Sequence, residues 1–245
     1  GAVAQNEVGY AEVAGATGAQ RLMAEIVRIR GREADMQVFE DTRDLAVGDA
    51  VSFSGNLLAA ELGPGLLKQI YDGLQNPLPQ LAAQCGFFLQ RGTYLNALDR
   101  EAEWAFTPCV KPGERVTAGE ALGTVPEGLF KHRIMVPFSF RGQWTVRSVA
   151  PAGAYRIEQP VAVLADAGGH ETGVTMLQRW PVKQPITCFA ERLRPSTTLV
   201  TSIRTIDTFF PVAVGGTYCI PGPFGAGKTV LQQTTSRYAD VDIVV

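Results

Sequence analysis

The sequence has few histidines and cysteines and no run of one charge. Its 245 residues include 2 histidines and 4 cysteines, and no two cysteines have Cys-x-x-Cys spacing. The cysteine spacing argues against both a metal site and a dense disulfide framework, and it suits a reduced cytosol. Lys and Arg number 22 against 24 Asp and Glu, and no segment concentrates positive charge. We therefore expect no nucleic-acid partner.

Long apolar runs are also absent. No run approaches the roughly 18 apolar residues of a membrane-spanning helix. Residues 1–10, GAVAQNEVGY, lack the charged and apolar regions of a signal peptide. We expect any contact with a membrane to be made through a partner. Hydrophobic residues make up 46% of the chain, which is enough for one large domain or for several smaller ones.

Short strands with frequent turns are predicted for the first part of the chain. Residues 34–38 alternate apolar and polar side chains, and residues 24–30, AEIVRIR, precede them across a predicted hairpin turn at 31–33. Residues 51–54 alternate in the same way. This pattern is typical of a small β-barrel, which we place at residues 1–55.

An amphipathic helix is predicted next. Leu66, Leu67, Ile70 and Leu74 recur at the spacing of three and four residues that puts side chains on one helical face. The pair at 76–77, Asn-Pro, is expected to end this helix.

A β-rich module is predicted for residues 96–180, where glycine or proline recurs every several residues. Its clearest piece, residues 111–125, resembles the flattened barrel of biotinyl and lipoyl carrier domains. Those carriers need an exposed lysine at a hairpin tip, and the comparable stretch at 132–136, HRIMV, has none. A structural β-module inserted into a larger domain is therefore favoured over a carrier function.

The segment after Trp180 predicts a change to α/β structure. Residues 217–220, TYCI, are predicted to form a buried strand, residues 230–238 a helix and residues 241–245 a further strand. Between the first strand and the helix lies GPFGAGKT, residues 222–229. A G-x-x-x-x-G-K-[ST] sequence binds phosphate in this strand–loop–helix context.

The residue types of GPFGAGKT each suit phosphate binding. The glycines let successive backbone N–H groups converge on phosphate oxygens. Lys228 brings a positive charge to the β- and γ-phosphates, and Thr229 offers a hydroxyl to Mg²⁺ at the helix start, where the dipole favours anions. We expect Lys228 to be catalytic and Thr229 to be the metal ligand. The predicted nucleotide-binding residues are Gly222, Pro223, Phe224, Gly225, Ala226, Gly227, Lys228, Thr229 and Val230.

Pro223 and Phe224 are not required by a generic phosphate loop. With them, GPFGAGKT resembles the P-loop of the catalytic A subunit of V-type and archaeal-type rotary ATPases, and it differs from the glycine-valine form of the F-type β subunit. Other stretches are similar to the same family: QVFEDT at 37–42, ELGPGLLKQIYDGLQNPL at 61–78, HRIMVPF at 132–138, MLQRWPV at 176–182 and IDTFFPVAVGGT at 206–217.

The resemblance implies a mixed β and α/β fold. The N-terminal small β-barrel would span 1–55, and the inserted β-rich module 96–180. Residues 56–95 and 181–245 would form the beginning of a P-loop (RecA-like) α/β nucleotide-binding domain.

The resemblance also implies a function and partners. In that family, ATP or ADP binds with Mg²⁺ at interfaces between A subunits and non-catalytic B subunits, which alternate in an A3B3 hexamer. Central and peripheral stalk subunits connect the hexamer to a membrane sector. ATP hydrolysis or synthesis is thereby coupled to transport of protons or sodium ions. The chain would be part of an ion-translocating ATP hydrolase at the cytoplasmic face of the membrane.

Several catalytic groups of that family are expected beyond Val245. They are the glutamate that positions the attacking water and the aspartate associated with Mg²⁺, while the arginine finger comes from the partner subunit. We therefore expect a longer subunit, and we expect the present chain alone to bind nucleotide poorly and not to hydrolyse ATP measurably. The alternatives are a P-loop ATPase of the secretion or flagellar export type and a non-enzymatic β-module. The insert at 96–180 argues against the first, and the loop at 222–229 against the second.

Overall fold

The computed structural model describes residues 3–15 and 18–245, apart from the side chains of residues 14, 15, 18 and 19. The chain divides into two compact units, Gly1–Cys188 and Phe189–Val245. The first unit is built mainly of strands, which are β1 Glu7–Gly15, β2 Gly18–Arg30, β3 Glu33–Val38, β4 Val51–Leu57, β5 Ala59–Leu62, β6 Glu103–Pro108, β7 Arg115–Val116, β8 Ala121–Glu127, β9 Phe130–Met135, β10 Trp144–Val149, β11 Gly153–Arg156, β12 Ala162–Ala165, β13 Glu171–Val174 and β14 Gln178–Pro181. Helix α1, Leu78–Cys85, lies between β5 and β6.

The N-terminal strands form an antiparallel sheet in the order β3-β2-β1-β4. Arg30 pairs with Glu33, so the β2–β3 hairpin turns through two residues, and Gly31 takes a φ of 61°. Glycine adopts such angles without the steric cost of a Cβ. The predicted hairpin and the predicted strands at 24–30 and 34–38 are confirmed. Apolar side chains of this sheet, Val13, Leu22 and Ile26, are fully buried.

The helix predicted around Leu66–Leu74 is wrong. Residues 66–74 form turns and an isolated bridge, and Ile70 is 65% exposed. The Asp72 carboxylate accepts hydrogen bonds from the backbone N–H groups of Leu74 (2.9 Å) and Asn76 (2.8 Å). Short polar side chains that bond nearby backbone offer the chain an alternative to a helix, and here that alternative wins over the apolar spacing.

The prediction that residues 76–77 end a helix is also wrong. Pro77 is instead the residue before α1, with extended backbone angles, and Pro79 lies in the first turn. Proline is tolerated there because its missing N–H would have no intrahelical acceptor. The chain leaves α1 at Gly86, whose φ is 69°.

The β-structure predicted between residues 96 and 180 is confirmed. Two antiparallel four-stranded sheets have the orders β13-β12-β10-β7 and β11-β6-β8-β9. The apolar side chains of this module form two buried clusters. One contains Leu98, Phe106, Val125, Ile134, Ile157, Val161 and Met176, and the other Val116, Leu122, Val136, Val146, Ala162, Leu164 and Val174. A two-stranded sheet of β5 and β14 brings the chain on either side of this module together.

The second unit is short and has two helices. Its elements are β15 Thr198–Leu199, α2 Arg204–Phe209, β16 Val212–Ala213 and α3 Lys228–Tyr238, with β15 paired to β16. The helix predicted at 230–238 is confirmed, and it starts two residues earlier.

The strands predicted at 217–220 and 241–245 are not formed. Both segments are irregular and largely exposed. A strand is stable only when a neighbouring strand accepts and donates its backbone hydrogen bonds. Within the described part of the chain no strand pairs with either segment, so their apolar sequence does not become β-structure.

Candidate phosphate-binding site

The glycine-rich loop leads directly into α3. Gly225 and Gly227 have φ angles of 78° and 81°. Gly227 is the residue before the helix and adopts the left-handed conformation, with ψ of 15°. This region costs residues with a Cβ free energy, so glycine at these two positions allows the tight turn into the helix.

The side chain of Lys228 folds back over the loop. Its ammonium donates hydrogen bonds of 2.7 Å to the carbonyl oxygen of Gly222 and 2.7 Å to that of Pro223. An ammonium has three N–H donors, so one more can be directed to a bound anion. The carbonyl oxygens of Gly222 and Pro223 therefore hold the positive charge beside the first residues of the loop.

The start of α3 is chemically suited to an anion. No side chain caps the helix, since Gly227 has none to offer, and no acidic residue lies in the first turn. The first backbone N–H groups of a helix have no intrahelical acceptor, and the helix dipole is positive there. Amides, dipole and ammonium together attract a phosphate group.

Of the remaining predicted residues, some help to form the loop or the helix start, and others only point to solvent. Ala226 takes part in the turn, because its N–H donates to the carbonyl oxygen of Pro223 at 3.3 Å. Thr229 lies in the first turn of α3 and is exposed. Phe224 and Val230 are exposed, with 105% and 67% of their surface accessible, and they make no packed floor beneath the loop.

A hydrogen bond between two hydroxyl groups joins the segment before the loop to helix α3 after it. The Tyr218 hydroxyl donates to Thr235 Oγ1 at 3.2 Å, and Thr235 Oγ1 donates to the carbonyl oxygen of Leu231 at 2.9 Å. The sequence analysis did not predict this contact. Thr235 lies seven residues after Lys228 and so on the same helical face, but no local pattern in the sequence points to Tyr218 as its partner.

The end of α3 is fixed by the segment before α2. The Ser202 hydroxyl donates to the carbonyl oxygen of Tyr238 at 2.9 Å, which satisfies a carbonyl in the last turn. The hydroxyl and the backbone N–H of Thr201 both donate to the Asp207 carboxylate, at 2.7 and 3.0 Å. These hydrogen bonds hold the pKa of Asp207 below its ordinary value.

The described residues contain neither a cluster of metal-binding side chains nor a membrane-spanning helix. Across residues 3–15 and 18–245, no three His, Cys, Asp or Glu side chains come close enough together to hold a metal ion. None of the described helices combines the length and the apolar composition needed to cross a bilayer.

Comparison with known proteins supplies the family. Residues 2–55 match the family model described as the β-barrel domain of the ATP synthase alpha/beta family. Residues 95–183 match the barrel-sandwich domain of the ATP synthase alpha/beta subunit. Residues 222–230 lie outside both ranges. The chain belongs to the ATP synthase alpha/beta family.

Within that family, the chain is similar to alpha chains of the V-type over its whole length. It is 63% identical over 245 residues to V-type ATP synthase alpha chain 1 of Treponema pallidum, and 58% identical over 245 residues to the alpha chain of Treponema denticola. Identity to the alpha chain of Borreliella burgdorferi is 54%. All of the chain is covered in each case, but only 41% or 42% of the relative. The chain thus spans about two fifths of the length of these curated relatives.

Proposed function

We propose that the chain carries the phosphate-binding loop of the catalytic, ATP-binding alpha chain of a V-type rotary ATPase. One observation supports this most strongly. The ammonium of Lys228 lies at the start of α3 and is held by the carbonyl oxygens of Gly222 and Pro223. A cation preset beside uncapped helical amides binds the phosphates of a nucleotide.

Each group in the loop has a distinct part in binding. Lys228 directs its free N–H to the β- and γ-phosphates, and the backbone amides at the start of α3 bind further phosphate oxygens. The hydroxyl of Thr229 is a ligand for Mg²⁺, which supplies neutralisation of phosphate charge when bound. A single protein hydroxyl fits that ion, because Mg²⁺ usually keeps several waters and binds substrate phosphates.

The wider activity is part of the same proposal and is supported by the similarity to V-type alpha chains. The complete subunit hydrolyses or makes ATP while protons or sodium ions cross a membrane. It alternates with non-catalytic B subunits in an A3B3 hexamer, with stalk subunits, at the cytoplasmic face. We propose a β-barrel at 1–55, an inserted module at 96–180 and a P-loop domain that combines 56–95 with 181–245.

The direct test is nucleotide binding by this chain. We expect weak but measurable binding of Mg·ATP by isothermal titration calorimetry or ³¹P NMR, and a Kd that rises about ten- to a hundredfold in Lys228→Ala. That range corresponds to the roughly 1.5–3 kcal/mol of a hydrogen bond to a charged group. Lys111→Ala is the matched control, because Lys111 is an exposed lysine in the first unit.

The control distinguishes an effect of the loop on the Kd from an effect of losing one positive charge anywhere on the chain. An unchanged Kd in Lys111→Ala with a raised Kd in Lys228→Ala supports the proposal. Equal Kd values in the two variants would mean that ATP binds elsewhere, and the proposed site would be abandoned.

A further inference from the structure

The chain that enters the glycine-rich loop is tied to the helix that leaves it. Tyr218 donates its phenolic hydroxyl to Thr235 Oγ1 (3.2 Å), which donates in turn to the Leu231 carbonyl oxygen (2.9 Å). The backbone N–H of Leu231 donates to the carbonyl oxygen of Gly227 at 3.0 Å. The three contacts connect Tyr218 to the residue that precedes Lys228.

The hydrogen bond between Tyr218 and Thr235 lies in a segment where strand pairing would ordinarily hold the chain in place. Residues 217–220 form no strand, and in the described part of the chain no strand pairs with them. A hydroxyl contact between Tyr218 and α3 therefore limits how far the entering chain can move from the helix. The positions of the loop amides depend on that distance.

Among the described residues, the other hydroxyl side chains near Thr235 on α3 make no contact like the one between Thr235 and Tyr218. Thr234 Oγ1 donates to the carbonyl oxygen of Val230 (2.7 Å), and Ser236 Oγ to that of Gln232 (3.0 Å). Hydroxyl groups in helices commonly bond to the carbonyl four residues earlier. Thr235 differs from both neighbours, because it is buried, with 9% of its surface exposed, and because it also accepts from Tyr218.

We propose that Tyr218 and Thr235 are positioning residues for the phosphate loop. Their hydroxyl pair holds the entering chain against α3 and so keeps the amides of residues 225–229 in an arrangement that accepts phosphate. This inference rests on the proposed function, and it adds two residues outside the G-x-x-x-x-G-K-[ST] sequence. Both residues lie outside the loop at 222–229.

The rate of amide hydrogen exchange in the loop tests the proposal without any ligand. We expect exchange in a peptide spanning residues 222–231 to accelerate about three- to tenfold in Tyr218→Phe, the range for loss of one hydrogen bond. Thr235→Val should accelerate it at least as much, because it also removes the bond to Leu231. Thr235→Ser keeps the hydroxyl and should restore slow exchange. Thr234→Val is the matched control and should leave the loop unchanged, because Thr234 makes only the bond back to its own helix.

The pattern of exchange distinguishes positioning from general destabilisation. Acceleration confined to the loop supports the proposal. Wild-type exchange in Tyr218→Phe would overturn it, and so would equal acceleration along residues 228–238.

A binding measurement separates this inference from the function on which it rests. Inorganic triphosphate and ATP should lose affinity by the same factor in Tyr218→Phe, because the loop contacts only phosphate. If Lys228→Ala weakens triphosphate binding and Tyr218→Phe does not, the positioning role fails while the phosphate site stands. If Lys228→Ala has no effect, the proposed function itself fails.

Discussion

Arg100 donates a hydrogen bond of 2.6 Å to Oε1 of Glu61, a carboxylate that is buried in the first unit. Arg179 donates to the same oxygen, at 2.9 Å from one terminal nitrogen. Glu61 lies in β5, Arg179 in β14 and Arg100 just before β6. One carboxylate therefore links the paired strands on either side of the β-rich module.

Acid is expected to weaken the first unit through Glu61. Burial raises the pKa of this carboxyl, but the hydrogen bonds and charges of Arg100 and Arg179 outweigh burial and hold the pKa below its ordinary value. A lowered pKa in the folded state means that the stabilisation is present above the unfolded pKa of about 4.3 and is lost as pH falls below it. Urea unfolding between pH 3 and pH 7 measures this loss.

The variant Glu61→Gln isolates that contribution. It should lower the free energy of unfolding by roughly 1.5–3 kcal/mol at pH 7, because the hydrogen bonds from Arg100 and Arg179 lose their charged acceptor. Arg100 keeps its ion pair with Glu158 at 2.8 Å, so its charge is not left unpaired. Its stability should also change less than that of the wild type between pH 4.5 and pH 3. An identical pH slope in the two proteins would show that other carboxyls carry the acid sensitivity.

Gly123 in β8 leaves space for a core aromatic ring. A Cβ at this position would overlap the ring of Phe106, which is 1% exposed, and would lie 2.7 Å from the carbonyl oxygen of Thr107. Gly123→Ala should therefore destabilise the first unit by about 1–3 kcal/mol or more, since neither neighbour can move easily. Thermal unfolding is the measurement.

Gly173 in β13 supplies the control for that variant. A Cβ there would approach no atom nearer than 3.8 Å, at Pro160. Gly173→Ala should leave the melting temperature nearly unchanged. Equal losses from the two substitutions would mean that strand glycines matter here for a reason other than the Phe106 contact.

Tyr94 connects the loop after α1 to the N-terminal sheet. Its hydroxyl accepts from the backbone N–H of Met23 (2.6 Å) and donates to the Glu40 carboxylate (2.8 Å), and burial raises the pKa of the phenol well above its ordinary value. Tyr94→Phe leaves both partners without this bond and should cost about 1–3 kcal/mol in urea unfolding. In Tyr155→Phe the lost donor served an exposed contact with Pro151, so we expect a smaller loss. A larger loss in that variant would contradict this account of Tyr94.

Thr229 is expected to couple nucleotide binding to Mg²⁺. The wild-type chain should bind ATP more tightly with Mg²⁺ than with EDTA, and Thr229→Val should bring the two Kd values together because the metal loses its protein ligand. Thr229→Ser should behave as the wild type. A Thr229→Val variant with a full response to Mg²⁺ would remove Thr229 from the metal site.

Some of the fold could be predicted because its signals are local. The alternation at 34–38 and the short turn at Gly31 require only neighbouring residues, and the hairpin forms as expected. The spacing at 66–74 was equally regular, yet no helix forms, because Asp72 bonds the backbone of Leu74 and Asn76 and the turn bridges Tyr71 to Pro77. The spacing of apolar residues carries no information about hydrogen bonds from a side chain to the backbone that compete with a helix.

The sequence by itself determined the glycine loop, the lysine and the helix that follows it, since each depends on residues within a few positions of the others. It also carried the family, through stretches spread over the whole chain. Only the tertiary structure decided that residues 217–220 remain irregular, because a strand depends on a partner elsewhere in the chain. The structure alone also brought Tyr218 to Thr235, since a contact across seventeen residues follows from the path of the loop rather than from any local pattern.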